Sequence, residues 1–157
     1  MKSKDLLLLS NLRANSRETL TTISKRTKIP ISTIFDKLKN HEKNVIQKHT
    51  TIIDFSKLGF STRATITFKV NKKDKEILRE YLVKHYNVNS LYKINNGFDF
   101  LIEGIFKNLN DFEDFLEQID DKFRIKTKQV FYIIEDVKRE DFMSDMNYVD
   151  LICGEAQ

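Results

Sequence analysis

Cysteine, glycine and long apolar runs are scarce in this sequence of 157 residues, and each shortage excludes a class of protein. The one cysteine, Cys153, has no intrachain partner, which rules out a disulfide framework and suits a reducing cytosol. The longest apolar run, Leu6 to Leu9, is too short for a membrane span or a signal-peptide core. We therefore expect a soluble cytoplasmic protein with no membrane partner.

Residues that commonly carry catalysis are few as well. The three histidines, His41, His49 and His85, lack the spacing of metal ligands, and the four glycines form no phosphate-cradling loop. No acid, base or activated nucleophile stands out at a recognisable spacing. The sequence thus predicts no catalytic residue, no metal site and no cofactor, and the chain is not expected to be an enzyme.

Charge and aromatic residues divide the chain near position 58. Residues 1–58 contain 12 Lys and Arg against 5 Asp and Glu, a net charge of +7, whereas the remaining residues carry −3. Phe35 and Phe55 are the only two of the 17 Phe and Tyr that precede Gly59. This asymmetry indicates a polyanion-binding module joined to a second module, although a solvated basic face without a ligand gives the same pattern.

The first part has the periodicity of three short helices. Ser3 can cap a helix reaching Leu12, and Thr19 can cap a second one. Pro30 interrupts the pattern and restarts it as a third helix over residues 31–43, which Asn44 can end in a left-handed conformation. On the third helix, the stripe opposite Ile34, Leu38 and His41 consists of Ser32, Asp36, Lys39, Asn40 and Lys43. Two helices with a tight break between them indicate a helix-turn-helix. The β-branched stretch from Val45 to Ile53 predicts a wing or connecting strand.

The second part alternates between strand and helix patterns. Strands are expected around residues 63–70, 88–94, 98–106 and 129–137, and amphipathic helices around 72–86 and 109–123. Asn95-Asn96-Gly97 is a two-residue hairpin signal. The order βαββαβ predicts a ferredoxin-like sheet with helices on one face. The fold class is therefore α+β, with an N-terminal winged helix-turn-helix and a C-terminal ferredoxin-like (RAM/ACT-like) domain.

The predicted boundaries place a winged helix-turn-helix with its connecting strand in residues 1–53 and a linker in 54–61. The ferredoxin-like domain follows in 62–138 and a C-terminal extension in 139–157. Strands that are apolar on both sides, such as the one containing Leu101 and Ile105, leave a sheet face that two helices cannot cover. We expect a homodimer through that face, with capping by the chain from Lys138 onward as the alternative.

Four short motifs accompany this architecture: Asn15-Ser16-Arg17, Ile31-Ser32-Thr33-Ile34, Asn44-Val45-Ile46 and Lys57-Leu58-Gly59. In this order and spacing, over residues 3–138, the chain resembles the Lrp/AsnC (feast/famine) transcription regulators. Lys28 and Asn44 stand where that family usually has glycine. Asn96-Gly97-Phe98-Asp99 approximates its Gly-x-aromatic-Asp pattern with the glycine displaced by one position, and Thr127 and Gln129 half meet a paired-threonine pattern.

The resemblance implies a sequence-specific transcription regulator that binds double-stranded DNA through its third helix and assembles as a homodimer or higher oligomer. In a recognition helix, the exposed N-terminal half reads base edges, while cations neutralise phosphates. Phe35 can touch a thymine methyl group, or it can pack in the core. The DNA-binding candidates are Arg17, Lys25, Arg26, Ser32, Thr33, Phe35, Asp36, Lys37, Lys39, Asn40, Lys43 and Lys48.

The resemblance also implies a small-molecule effector, such as an amino acid, bound near the predicted hairpin. The effector-binding candidates are Asn96, Gly97, Asp99, Thr127 and Gln129. Asp99 could pair with an α-ammonium group. The alternative is an ordinary type I′ turn with a solvated aspartate.

Two further functions fit the same architecture. Siroheme decarboxylases resemble it, but their histidine-and-aromatic hairpin signature is not seen in Lys93-Ile94-Asn95-Asn96-Gly97-Phe98. A winged-helix module for protein contacts is the other alternative, and the basic charge of the first part disfavours it.

Overall fold

The computed structural model describes residues 3–154, apart from the side chain of Cys153, so expectations about that thiol lie outside the described residues. The chain divides into two compact units. The helical unit consists of the described residues 3–51 and 137–154, and the sheet unit is the single stretch Ile52–Asp136 between them. Both ends of the chain therefore build the helical unit.

Three helices form the first part of the helical unit: α1 (Ser3–Ala14), α2 (Leu20–Thr27) and α3 (Ile31–Asn44). Thr19 caps α2 as predicted, because its hydroxyl accepts a hydrogen bond from the Thr22 amide. A small core cluster of Leu8, Ile23, Ile29 and Ile34 holds the helices together. The predicted three-helix pattern is confirmed.

Two sequence expectations for this unit are wrong. Asn44 is the last residue of α3 rather than a left-handed residue after it, and Val45 ends the helix with φ −123°. Residues 45–53 form no strand, so neither the predicted wing nor the connecting strand is present in this part of the chain. A β-branched composition favours a strand only where a partner strand is available to accept its hydrogen bonds, and none pairs with this segment.

A four-stranded antiparallel sheet, in the order β2-β3-β1-β4, forms the second unit. Its strands are β1 (Thr62–Val70), β2 (Val88–Lys93), β3 (Phe100–Phe106) and β4 (Ile125–Tyr132), and its helices are α4 (Lys75–Lys84) and α5 (Leu109–Lys122). The predicted βαββαβ order is confirmed. The last strand begins four residues earlier than predicted and ends at Tyr132. Ile77 lies on the outer side of α4 and is largely exposed.

One apolar core joins the sheet to α4 and α5. Alternate residues of β1 and β3 pack against α4 through Leu78 and Leu82 and against α5 through residues that include Phe112 and Phe115. The ring of Phe106 lies 5.2 Å from each of those two phenylalanine rings, centroid to centroid. This core fixes which face of the sheet the helices cover, and therefore which face stays open.

The open face of the sheet is the other side of the same strands. By the strand register it carries Arg63, Thr65, Thr67, Ser90, Tyr92, Leu101, Glu103, Ile105, Thr127, Gln129 and Phe131. Phe131 and Tyr92 are more than half exposed. The open face therefore presents apolar rings among polar side chains, which suits a partner surface of similar composition.

The C-terminal segment, defined here as residues 137–154, belongs to the helical unit, whereas the alternative assigned it to the sheet. It forms a 3₁₀ turn (Met146–Tyr148) and a short helix, α6 (Val149–Cys153), and both pack against α1. Val149 is buried. Within residues 3–154 no helix is long and apolar enough to cross a membrane.

Candidate nucleic-acid interface and effector site

A polar stripe runs along the solvent side of α3. Its inward side is held by Ile34 and His41, which are buried, so residues about half a turn away face solvent. The stripe predicted from the sequence is exposed along its whole length: Ser32, Asp36, Lys39, Asn40 and Lys43. Phe35 beside it is 55% exposed, which contradicts its alternative role in the core.

The turn that presents α3 is tightly bonded. Lys28 ends α2 in the left-handed conformation (φ 59°, ψ 23°), the position where glycine is favoured. The Ser24 hydroxyl donates to the Ile29 carbonyl oxygen at 2.6 Å. Pro30 precedes the first helical residue, and its carbonyl oxygen accepts from the Ile34 amide. The start of α3 is therefore held by backbone bonds and exposed on its outer side.

Several of the predicted phosphate contacts are open to a ligand. Among the described residues, these cations have no ion-pair partner and are exposed: Arg17, Lys25, Lys39, Lys43 and Lys48. Lys48 lies in the irregular segment after α3, the others on or beside the helices. A set of unpaired surface cations around one exposed helix is the arrangement that phosphate neutralisation needs.

Other predicted contacts are already engaged inside the unit. The Lys37 ammonium lies 2.5 Å from the carboxylate of Asp5, which also meets His41 at 3.2 Å. The hydrogen bond from Lys37 is the main reason that the pKa of Asp5 lies below its ordinary value, with His41 adding to it against the effect of burial. Lys37 therefore joins α3 to α1 and is not an unpaired cation for DNA.

Arg26, Asn40 and Thr33 are also partly committed. The Arg26 guanidinium donates to Asn11 Oδ1 at 2.8 Å and lies 3.6 Å from Glu18. The Asn40 amide oxygen accepts from Asn44 within α3, and Thr33 is half-buried. Sequence spacing gave no signal for the Asn11 contact, because the two partners lie on different helices.

At the other candidate site, the hairpin forms as predicted. Asn96 and Gly97 both have positive φ (57° and 90°), as a type I′ turn requires, and the Ile94 amide donates to the Asp99 carbonyl oxygen. Both turn residues are exposed. The hairpin tip is therefore a rigid, solvent-facing loop.

Asp99 is buried and already bonded within the chain. It is 7% exposed, its Oδ2 accepts from the Val70 amide at 3.1 Å, and its Oδ1 accepts from the Lys75 ammonium at 2.6 Å. Burial raises the pKa of Asp99, but the bonds from Lys75 and Val70 and the charge of Lys69, 3.8 Å away, outweigh it and leave the pKa below its ordinary value. The interpretation of Asp99 as a solvated aspartate is therefore wrong, and the carboxylate expected to pair with an effector ammonium is bonded by Lys75 and Val70 within the chain.

The two predicted residues of β4 lie at the same end of the sheet. Thr127 pairs with Lys69 of β1, and Gln129 pairs with Thr67 of β1. Strand β4 therefore lies on one side of β1, whereas β3, which follows Asp99, lies on the other. Thr127 and Gln129 are both exposed. The structure thus brings the hairpin and the start of β4 to one end of the sheet, with Lys69 between them, although sequence reasoning missed Lys69 and Lys75. No group of metal-ligating side chains occurs within the described part of the chain.

Comparison with known proteins gives a consistent result. The Lrp/AsnC ligand binding domain family matches residues 63–142, just over half of the chain. An uncharacterised HTH-type transcriptional regulator of Pyrococcus furiosus is 25% identical over 88% of this chain and 93% of its own length. The HTH-type transcriptional regulator FL11 of Pyrococcus abyssi is 29% identical over 73% of this chain and 77% of its own length.

Solved structures share the fold over most of this chain. The Neisseria meningitidis transcriptional regulator NMB0573, solved as a complex with L-Met, superposes with a TM-score of 0.81 at 19% identity, over 88% of this chain and 93% of its own. Together with the match over residues 63–142, this resemblance extends the likeness across both units. The chain belongs to the Lrp/AsnC family.

Proposed function

We propose that this protein is a transcription regulator that binds double-stranded DNA through α3, assembles through its sheet unit and responds to a small-molecule effector. The observation that carries the DNA-binding role is the exposed stripe on α3 beside unpaired cations, in a segment of net charge +7. Curated relatives named HTH-type transcriptional regulators support it.

In this proposal α3 occupies the major groove and α2 lies against the backbone, as in other helix-turn-helix proteins. Ser32 and Thr33 at the start of α3 reach base edges, and Asp36 accepts from a cytosine amino group. Phe35, exposed beside them, touches a thymine methyl group. Lys39 and Lys43 on the same stripe neutralise phosphates. Further backbone contacts come from Arg17, Lys25, Lys48 and Arg26, whose side chain is 42% exposed although Asn11 and Glu18 hold it.

A second copy of the chain covers the open face of the sheet in the assembled protein. Phe131 and Tyr92 expose apolar rings on this face, and a partner surface would bury them. Thr67, at the centre of the same face, is buried within the single chain. Two copies paired through identical faces would have a twofold axis. The DNA site is then pseudo-palindromic, with half-sites one helical turn or a multiple of it apart.

The effector site lies at the end of the sheet that holds the hairpin and the start of β4, and amino acids are the proposed effector class. Asn96, Gly97, Thr127 and Gln129 are exposed and available to a ligand. Asp99, held by Lys75, supports this end instead of receiving an ammonium group. A related fold solved with L-Met supports the effector class. Calorimetry with a panel of amino acids tests it, and absence of heat with all of them would remove the effector role.

The DNA-binding role predicts different effects for two substitutions on α3. Lys39→Ala should weaken binding to all duplexes and reduce the slope of log affinity against log salt by about 0.9, because one phosphate contact is lost. Ser32→Ala should alter the preferred sequence instead. Fluorescence anisotropy with duplexes selected from a random pool measures both effects at several salt concentrations.

The matched control is Lys84→Ala, which removes an exposed lysine of α4 that has no ion-pair partner among the described residues. It should leave both affinity and slope unchanged. If the slope of log affinity against log salt is the same for Lys39→Ala as for the control, the proposed phosphate contact of Lys39 is refuted. No binding by the unmodified protein at low salt would remove the DNA-binding role altogether.

A further inference from the structure

The first helix has apolar residues on two opposite sides. Successive residues of a helix are rotated by about 100°, so the run from Leu6 to Leu9 spans most of the circumference. Leu8 points into the core shared with α2 and α3. Leu6 and Leu9 are buried too but do not belong to that core cluster, and Leu6 lies about 160° from Leu8 around the helix. The side of α1 that carries Leu6 therefore faces away from the core shared with α2 and α3.

The C-terminal segment packs against α1 as well. Its 3₁₀ turn and α6 both lie against α1, and Val149 at the start of α6 is 1% exposed. The side-chain amide of Asn11 lies 2.9 Å from the sulfur of Met146. The contact therefore includes one fully buried apolar residue, Val149, and a polar contact from Asn11.

Arg13 fastens the beginning of this segment. Its guanidinium donates to the carbonyl oxygen of Phe142 at 3.1 Å, to the carbonyl oxygen of Glu140 at 2.8 Å and to the Glu140 carboxylate at 3.2 Å. Glu140 and Met143 both have positive φ (51° and 64°), which residues other than glycine adopt only when surrounding contacts compensate. The planar fork of arginine provides such contacts.

The same contact extends to a residue of the proposed DNA interface. Asn11 is almost completely buried, and its two ends point to different elements. Its amide nitrogen donates to the Leu7 carbonyl oxygen and contacts Met146, while its amide oxygen accepts from the Arg26 guanidinium. Displacement of the C-terminal segment therefore removes the cover and one of the contacts of the residue that holds Arg26, and leaves Asn11 with its bond to Leu7 alone on that side.

We propose that the C-terminal segment is a strap that completes the helical unit by covering the second apolar side of α1, and that through Asn11 it positions Arg26 for DNA. The second part of this inference rests on the proposed DNA-binding function, whereas the first does not. The occupant of the second side of α1 is thus a segment of this chain's own C-terminus. Arg13 serves that contact and does not bind phosphate.

Hydrogen exchange of the full-length protein tests the strap without any DNA. Val149→Asp places a charge in the buried contact and should accelerate exchange of the α1 amides about tenfold or more, while the β1 amides stay protected. Leu151→Asp is the matched control, because it adds the same charge to the same helix at a residue that is 61% exposed. It should exchange like the unmodified protein.

A milder variant keeps the test decisive if Val149→Asp unfolds the whole protein. Arg13→Lys keeps the charge but removes the fork, and it should accelerate exchange of α1 in the same direction by a smaller factor. Unchanged α1 protection in Val149→Asp, or equal effects of Val149→Asp and Leu151→Asp, would overturn the strap.

DNA affinity is then measured for the same variants. We expect Val149→Asp to bind more weakly than Leu151→Asp, by a factor close to that of Arg26→Ala. Faster α1 exchange with unchanged DNA affinity would overturn the positioning of Arg26 and leave the cover of α1 intact. Absence of DNA binding by every variant, including the unmodified protein, would instead refute the proposed function, and the exchange result would still decide the strap.

Discussion

Replacement of Asp99 by asparagine should destabilise the sheet unit by a predictable amount. The carboxylate accepts from the Val70 amide and from the Lys75 ammonium. Asparagine retains an acceptor for Val70 but loses the charge opposite Lys75. Hydrogen bonds to charged groups contribute about 1.5–3 kcal/mol, and Lys75 is 36% exposed, so solvent screening favours the lower end, about 1.5 kcal/mol.

Asp99→Ala should cost more than Asp99→Asn. Alanine leaves the Val70 amide without its acceptor, which adds about 1–3 kcal/mol for an unsatisfied buried donor. The order of stability is therefore unmodified protein, then the asparagine variant, then the alanine variant. A ligand-only role for Asp99 would give no such order.

The effect of Asp99→Asn should also depend on pH in one direction. The pKa of Asp99 is lower in the folded chain than its ordinary value of 3.8, so the folded state favours the charged form. Its contribution to the free energy of unfolding is then fully present above the unfolded pKa and is lost as the pH falls through the folded pKa. The difference between the two proteins should stay constant from about pH 7 to 5 and shrink below about pH 4.

Urea unfolding at a fixed protein concentration measures this difference, since the stability of an oligomer depends on concentration. With a urea dependence of about 1–3 kcal/mol per molar, the midpoint should fall by about 0.5–1.5 M at pH 7. Asp121→Asn, an exposed aspartate of α5, is the control and should leave the midpoint unchanged. Equal midpoints for Asp99→Asn and Asp121→Asn, or a difference that does not shrink at low pH, would refute the reasoning.

Two further substitutions test the backbone of each unit. Lys28→Gly should raise the free energy of unfolding by roughly 0.5–1 kcal/mol, because Lys28 has φ 59° and glycine adopts this conformation without strain; a lower thermal midpoint would contradict this. Gly104→Ala should cost about 1–3 kcal/mol, because an added Cβ would lie 2.6 Å from the buried Phe106 ring, which packs against Phe112 and Phe115; an unchanged midpoint in urea would show that the ring can move aside.

Local sequence patterns were sufficient for the elements of both units. The alternation of Ala64, Ile66 and Phe68 predicted β1, and the Asn96-Gly97 pair predicted a turn with two positive φ angles. Thr19 was recognisable as a helix cap. These features depend on residues within a few positions of one another, so the necessary interactions are visible in the printed order of the chain.

The candidate sites needed more than the local pattern. The exposed stripe of α3 follows from the 100° rotation per residue and was predicted correctly. Which of the candidate cations are already paired was not predicted, because Lys37 meets Asp5 across 32 positions and Arg26 of α2 meets Asn11 of α1. A surface lysine and an ion-paired lysine look the same in sequence. The predicted wing failed for a related reason, since a strand needs a partner that the composition of residues 45–53 does not reveal.

The sequence by itself determined the two-part organisation, the helix and strand periodicities, the hairpin turn and the basic charge of the N-terminal part. Tertiary structure alone decided that the C-terminal segment packs on α1 and that the carboxylate of Asp99 is engaged by Lys75 and Val70. The physical reason is the range of the interactions. Periodicity and turns arise from neighbouring residues, whereas burial and ion pairing depend on which distant side chains the completed fold brings within a few ångströms.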